Sequence, residues 1–463
     1  MSSPGRILPL VVASALFMEN MDSTVIATSL PAMAADLGTS PVALKLAFTT
    51  YLLSLTVFLP ISAWVSDRYG AKLVFRIAIA VFTLSSLACG WAQNLPHLVL
   101  ARAVQGLGGA MMVPVGRIIV LRAIPKAELV GALAWLTVPA LVGPLVGPPV
   151  GGFITTYFSW HWIFWMNLPI GIIGLITATL FMPETPERDV KPLDVLGFVL
   201  SGLGLSFTVF GFTVAGRDLL SPLQTLGFVV AGVVLFGLYV QHAKRIAHPI
   251  LDLSLLRVET LRVSVTAGFF YRVAAGAVPF LLPLLLQLGF NATPFQSGLI
   301  TCSTALGALT MKFLAARMLR QFGYRQLLLV NGVISCILMA AMGLFRETTP
   351  VSIIMLVLLT GGLSRSLQFT ALNSIAYADI ANDDIARANG LYTVAQQFSL
   401  AMGVAVAAIV LEISQWLHGT AGLTQADFSA AFILVAVGGL LSIGTFMKLP
   451  FNAGAAMSGH RAG

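Results

Sequence analysis

No Asp, Glu, Lys or Arg occurs in residues 129–183, and only 10% of the 463 residues are charged. Soluble domains carry about a quarter. With 57% hydrophobic residues and a mean hydropathy of +0.92, the chain reads as a polytopic membrane protein. Cysteine is almost as scarce: Cys89, Cys302 and Cys336 lie in separate apolar segments without a CxxC pair, which excludes a disulfide framework and a thiolate metal site. The six histidines form neither HxxxH nor HExxH, and GxxxxGK[ST] is missing. An internal ATPase and a metalloenzyme are therefore excluded, and no other catalytic set is visible. The net charge of +8 does not point to nucleic acid, because its bases gather in short loops on one side. The first apolar stretch lacks the short core and small-residue cleavage site of a signal peptide and is expected to be a mature span.

Windows of about 20 apolar residues predict spans at 7–34, 42–65, 73–91, 98–120, 129–153 and 162–181, then 195–215 and 223–240, then 261–288, 295–315, 326–345, 351–375, 388–413 and 428–447. The expected all-α organisation is 6 + 2 + 6: a six-helix bundle over 1–183, a linker with two further transmembrane helices over 184–259, a second bundle over 260–449 and a tail over 450–463. With the N-terminus inside, eighteen Lys and Arg fall in inner loops and three, Lys45, Arg217 and Arg346, outside. That bias places both termini in the cytoplasm. Five bases stay within spans: Arg102, Arg117, Arg272, Lys312 and Arg365.

The two outer sets of six are related. Residues 67–72, DRYGAK, are echoed by residues 320–325, RQFGYR, which lays Gly323 over Gly70 at an offset of 253. The same offset carries Glu19 onto Arg272. Repeated halves with a site at mid-membrane are the plan of an alternating-access transporter. Glu19 and Asp22 share one face of the first span, and an acid at a helix centre costs roughly 2.5–3.5 kcal/mol on insertion scales. Such a pair marks a proton or cation site.

Asp22-Ser23-Thr24-Val25-Ile26-Ala27 with Leu30-Pro31, the loop segment 63–75, Arg102-Ala103-Val104-Gln105-Gly106, and Gly143 with Gly147-Pro148 and Gly151-Gly152 occur in that order. Together they resemble the first-helix signature, the loop motif, the RxxQG motif and the antiporter motif of the major facilitator superfamily, in its 14-span drug:proton antiporter branch. Ala63 and Ala71 depart from the loop motif. The resemblance covers essentially the whole chain. It implies two six-helix pseudo-repeat bundles with two extra central helices, in a cell membrane, the inner one in a bacterium. It also implies multidrug efflux driven by the proton gradient with no cofactor, and small-molecule substrate, protons and lipid as the only partners. A dedicated metabolite exporter and a transport-inactive membrane sensor are the alternatives.

Each motif also has a reading from its residues. In the loop motif, Gly70 suits a tight turn and Asp67, among Arg68, Lys72 and Arg76, is a conformational latch that either pairs with Arg76 or accepts from a helix N-terminus. Gly143, Gly147 and Gly151 form a smooth stripe allowing close backbone approach, expected to seal one end of the pathway between halves. Counting the helical rise, Arg102 lies roughly 8–9 Å below the outer end of its span and Asp22 roughly 22 Å above the inner face, level with each other in a core of about 30 Å. The two can meet. Arg117 and Lys312 fall near the inner interface, where long side chains snorkel, and Glu412 near the outer end reads as solvated. Arg272 is mid-membrane, with Glu19 its candidate partner. Met18, Met21, Gln105, Arg272, Gln396 and Gln397 are candidates for lining the substrate cavity. Asp22, with Glu19 and Arg102, is the candidate proton-coupling group.

Overall fold

The structure, a computed structural model, describes residues 3–124, 129–184, 192–215, 221–381, 384–420 and 422–458. Of the tallied bases, Lys126, Arg188, Lys191, Arg217 and Arg461 lie outside them. The described residues are helices joined by short turns, as lipid demands of a chain whose backbone polar groups must be satisfied internally. Twelve helices among them are long and apolar enough to cross a membrane.

By internal contacts the chain forms two compact units: Met1–Val195 with Thr293–Gly298, and Leu196–Ala292 with Leu299–Gly463. The first holds α1 (Ser3–Asp36), α2 (Lys45–Phe58), α3 (Ser62–Tyr69), α4 (Ala71–Gly90), α5 (Leu95–Ala123), α6 (Leu129–Tyr157), α7 (Trp162–Trp165) and α8 (Asn167–Phe181). A 3-10 turn at Leu59–Ile61, carrying Pro60, joins α2 to α3 into one bent span. Helix α1 packs on α5, α6 and α8, and α5 on α2 and α4. The core between them is filled by Val12, Phe75, Phe82, Met112, Val115 and Ile119, each 0% exposed.

The second unit holds α9 (Val195–Val214), α10 (Pro222–Ala243), α11 (Glu259–Leu284), α12 (Pro294–Met342) from Leu299 onward, α13 (Val351–Ile375), α14 (Ile385–His418), α15 (Gln425–Phe446) and α16 (Ala455–Ser458). Helix α11 packs on α14 and α15. The two central helices join this unit's core: Leu205 of α9 and Tyr239 of α10 cluster with Leu261, Ala376 and Leu391. The Tyr239 hydroxyl donates to the Leu251 carbonyl at 2.6 Å and accepts from its N–H at 2.8 Å.

The two echoed loops share a backbone. Gly70 has φ 82° between α3 and α4, and Gly323 has φ 68° at the non-helical point within α12. A side chain is strained at either position. The expected tenth and eleventh spans meet at Gly323, where the backbone leaves the helical conformation. Lys45, counted on the outer side, is 0% exposed. The connection before it turns inward, burying Val42, Ala43 and Leu44. Glu412, expected to be solvated, is half-buried, whereas Arg117 and Lys312 are exposed.

Candidate functional site

Asp22, 3% exposed, is the centre of a polar cluster inside the first unit. Arg102 and Gln105 stand one turn apart on α5 and both face it. Arg102 donates from Nη1 to Asp22 Oδ2 at 2.6 Å and to Gln105 Oε1 at 2.6 Å. Oδ1 accepts from Gln105 Nε2 and from Asn167 Nδ2, each at 3.0 Å. Asn167, the first residue of α8, also donates to Ser86 Oγ at 2.9 Å, and Ser86 donates to the Phe164 carbonyl at 3.0 Å. Three N–H donors thus converge on one carboxyl group, and the one from Arg102 is charge-assisted.

The guanidinium lies over the Tyr51 ring, with Cζ 4.1 Å from its centroid. Arg102 Nε and Nη2 and the Tyr51 hydroxyl have no hydrogen-bond partner among the described residues. Arg102 and Gln105 are 0% exposed, and Tyr51 and Asn167 1%. Of this cluster, sequence reasoning pointed to Asp22, Arg102 and Gln105 and missed Asn167, Ser86 and Tyr51. Gln105 belongs to the ion-pair cluster and not to an open cavity.

Glu19 behaves differently. It is half-buried and has no hydrogen-bond partner among the described residues. Its expected partner, Arg272, makes no ion pair among the described residues and is held inside the second unit. The guanidinium donates to the Tyr392 hydroxyl and to the Ser264 carbonyl at 3.4 Å, and lies over the Tyr392 ring at 4.7 Å. A phenol, a carbonyl and an aromatic face serve this cation inside its own unit. Met18, 1% exposed, and Met21, 4%, are packed in the first unit's core. Gln396 and Gln397 are half-buried on α14.

The glycine stripe runs along α1 within the first unit. A Cβ at Gly143 would lie 3.1 Å from Asn20 Cβ, at Gly147 2.1 Å from Thr24 Oγ1, and at Gly151 2.7 Å from the Val25 carbonyl. These glycines let α6 lie against the segment of α1 that carries Asp22. Gly152 faces elsewhere: a Cβ there would sit 2.2 Å from the Pro294 carbonyl, and one at Gly298 would sit 2.2 Å from the Pro148 carbonyl. Phe295 N donates to Thr156 Oγ1 at 3.1 Å.

In the loop motif, Asp67 accepts from Arg122 Nη2 at 2.7 Å, at the end of α5. This replaces the Arg76 pair among the expected alternatives, because α3 packs on α5. Lys72 donates to Glu184 at 2.8 Å. Arg68 is exposed, and Arg76 is half-buried with Nε unpartnered among the described residues.

The whole chain has known counterparts. It is 34% identical over 446 residues to MdtD of Escherichia coli (strain K12), a protein named for multidrug resistance, covering 95% of this chain and 94% of the relative. MdtD of Citrobacter koseri is 34% identical over 447 residues, with the same coverage. Among solved structures, a D-xylose-proton symporter superposes with a TM-score of 0.72 at 16% identity, over 97% of this chain and 98% of that one. A POT family peptide transporter superposes with a TM-score of 0.68 at 12% identity, over 99% and 98%. At those identities the structures share the fold alone. A sequence model of the Major Facilitator Superfamily matches residues 12–277 and 264–454, and on that breadth the chain belongs to this superfamily, as a multi-pass membrane protein.

Proposed function

We propose that the protein is a 14-span antiporter, with both termini in the cytoplasm, that exports lipophilic compounds, cations among them, in exchange for protons. The multidrug-resistance name of its relatives supports the substrate class, and the buried Asp22–Arg102 pair carries the mechanism. Two charges taken out of water are tolerable while they hold each other, and separating them leaves each uncompensated. A proton on Asp22 removes one charge, releases Arg102 and allows the helices bearing them to move. Deprotonation restores the pair. The pair is thus a two-state element biased by proton occupancy, which is what alternating access requires.

The proton gradient is the energy source, with no cofactor. Each elementary charge moved through 100 mV is worth about 2.3 kcal/mol. Exchange of one proton for one monovalent cation moves no net charge and draws on the pH difference alone. In this reading Glu19 assists Asp22 in coupling, and the loop around Gly70 is the latch.

The test is Asp22→Asn, compared with wild type in an efflux-deficient host across a compound panel and in proteoliposomes with a pH-sensitive dye. The variant reaches the membrane, and both resistance and substrate-dependent proton movement disappear. Export against a gradient with undiminished proton release would overturn the reading.

A further inference from the structure

The pairing of Asp22 with Arg102 uses Oδ2, while Oδ1 is held separately by two amides. That division suggests separate tasks for the two oxygens. We infer that Asn167, together with Gln105, is a positioning residue that keeps Asp22 in place and sets the pH at which it takes its proton, and that the proton adds at Oδ2, the oxygen Arg102 vacates. The inference rests on the reading of Asp22 as the coupling acid and concerns a residue on a different helix.

The argument is one of donors and acceptors. Oδ1 receives N–H groups from Gln105 and Asn167, each at 3.0 Å. A proton placed on Oδ1 would confront two donors in a site without solvent. Oδ2 has a single recorded donor, Arg102 Nη1, at 2.6 Å. Arg102 can leave it and keep an acceptor, because the same Nη1 bonds Gln105 Oε1 at 2.6 Å and the cation rests on Tyr51. Asn167 cannot leave as readily. Its amide bridges Asp22 to Ser86, and Ser86 is tied to the Phe164 carbonyl. This chain anchors the carboxylate from α4 and α8 while the cation comes and goes on α5.

The titratable or charged groups around Asp22 are few. They are Glu19 on its own helix, Tyr51 from α2, Cys89 from α4 and Arg102 from α5. From α6 the stripe offers glycine, and from α8 the neutral Asn167. Removing Asn167 therefore changes donors to the carboxylate without changing the charge of the site.

Asn167→Ala removes a hydrogen bond to a charged acceptor, which is expected to move the pH of half-maximal export upward by about one unit, a tenfold change in proton affinity. Export is measured in proteoliposomes across a pH series, with the amount of reconstituted protein matched by fluorescence. Ser86→Ala, which frees the amide's second anchor, moves the midpoint the same way by less. Asn167→Ser, which restores a shorter donor, returns it part of the way. If Asn167→Ala fails to reconstitute, Ser86→Ala and Asn167→Ser decide the matter. An unchanged midpoint in the variants that reconstitute, whatever their rates, overturns the inference. The failure of the underlying reading shows separately: Asp22→Asn would then retain proton-coupled export. If that reading holds, Asn167→Ala added to Asp22→Asn produces no further change in proton release.

Discussion

The two units carry the same polar motif and use it in opposite ways. In the first, the RxxQ pair Arg102 and Gln105 closes on Asp22. In the second, the imitation is Arg365 and Gln368, and among the described residues no acid pairs with it. Gln368 accepts from Asn331 at 2.8 Å and donates to the Leu328 carbonyl at 3.1 Å. Ser364 donates to Asn331 Oδ1 at 2.9 Å. Arg365 is half-buried with no hydrogen-bond partner among the described residues. At the offset of 253 residues Asp22 falls on Ala275. Among the described residues the second unit thus keeps the amide framework as a neutral, satisfied network without a counterpart of Asp22.

The largest effect should separate the two arginines. Arg102→Ala strands the Asp22 carboxylate in a site without solvent, and losing one partner of such a pair costs about 3–5 kcal/mol. Arg365→Ala deletes no hydrogen bond among the described residues and should cost less than about 1 kcal/mol. Thermal unfolding of the two variants in detergent, beside wild type, checks this. Equal losses would mean that the second arginine is paired as tightly as the first.

A smaller effect tests what the halves share. Each unit brings two helices together through glycine, α1 with α6 in the first and α11 with α14 in the second. A Cβ at Gly403 of α14 would lie 2.3 Å from the Val273 carbonyl, whereas one at Gly147 would lie 2.1 Å from Thr24 Oγ1. The first obstacle is backbone and the second a side-chain atom that can rotate. Overpacking costs about 1–3 kcal/mol, so Gly403→Ala should sit at the upper end of that range and Gly147→Ala at the lower. Removing the Thr24 hydroxyl should recover most of the Gly147→Ala loss and none of the Gly403→Ala loss. If Thr24→Ala rescues neither, the stripe is not held by the contact seen here.

The same contrast shows what a sequence of this kind discloses. Membrane thickness and helical rise fix a residue's depth, so Asp22 and Arg102, counted from opposite ends of their spans, fell on one level and are 2.6 Å apart. Hydropathy likewise outlines the helices, and a single glycine at 70 or 323 is legible as a turn. Depth carries no azimuth, however. Arg272 was legible as mid-membrane, but not that Tyr392 would hold it inside its own unit. The stripe on α6 was visible from its spacing, but not that its partner is α1. Asp67 found Arg122 because of how α3 meets α5, which no spacing records. Asn167 escaped for a different reason. A search of an apolar chain for function follows charge, and this amide stands in the run 129–183 that has none.

The smallest effect concerns the echoed glycine loops, each fastened by the segment that follows the last helix of its own bundle. In the first unit Lys72 reaches Glu184, beyond α8, whose side chain is 87% exposed. In the second, Arg325 donates to the Met447 carbonyl at 3.1 Å and lies 3.7 Å from the centroid of Phe451, beyond α15. An exposed ion pair is worth about 0–1 kcal/mol and fades with salt. A guanidinium over an aromatic ring adds about 0.5–1 kcal/mol, and its carbonyl hydrogen bond about 1 more. Lys72→Ala should therefore lower the unfolding midpoint more at low salt than at high salt, while Arg325→Ala lowers it more and retains most of that loss in both. Equal salt dependence would mean that both loops are held by charge alone, and the two fastenings would then differ in residue type without differing in physics.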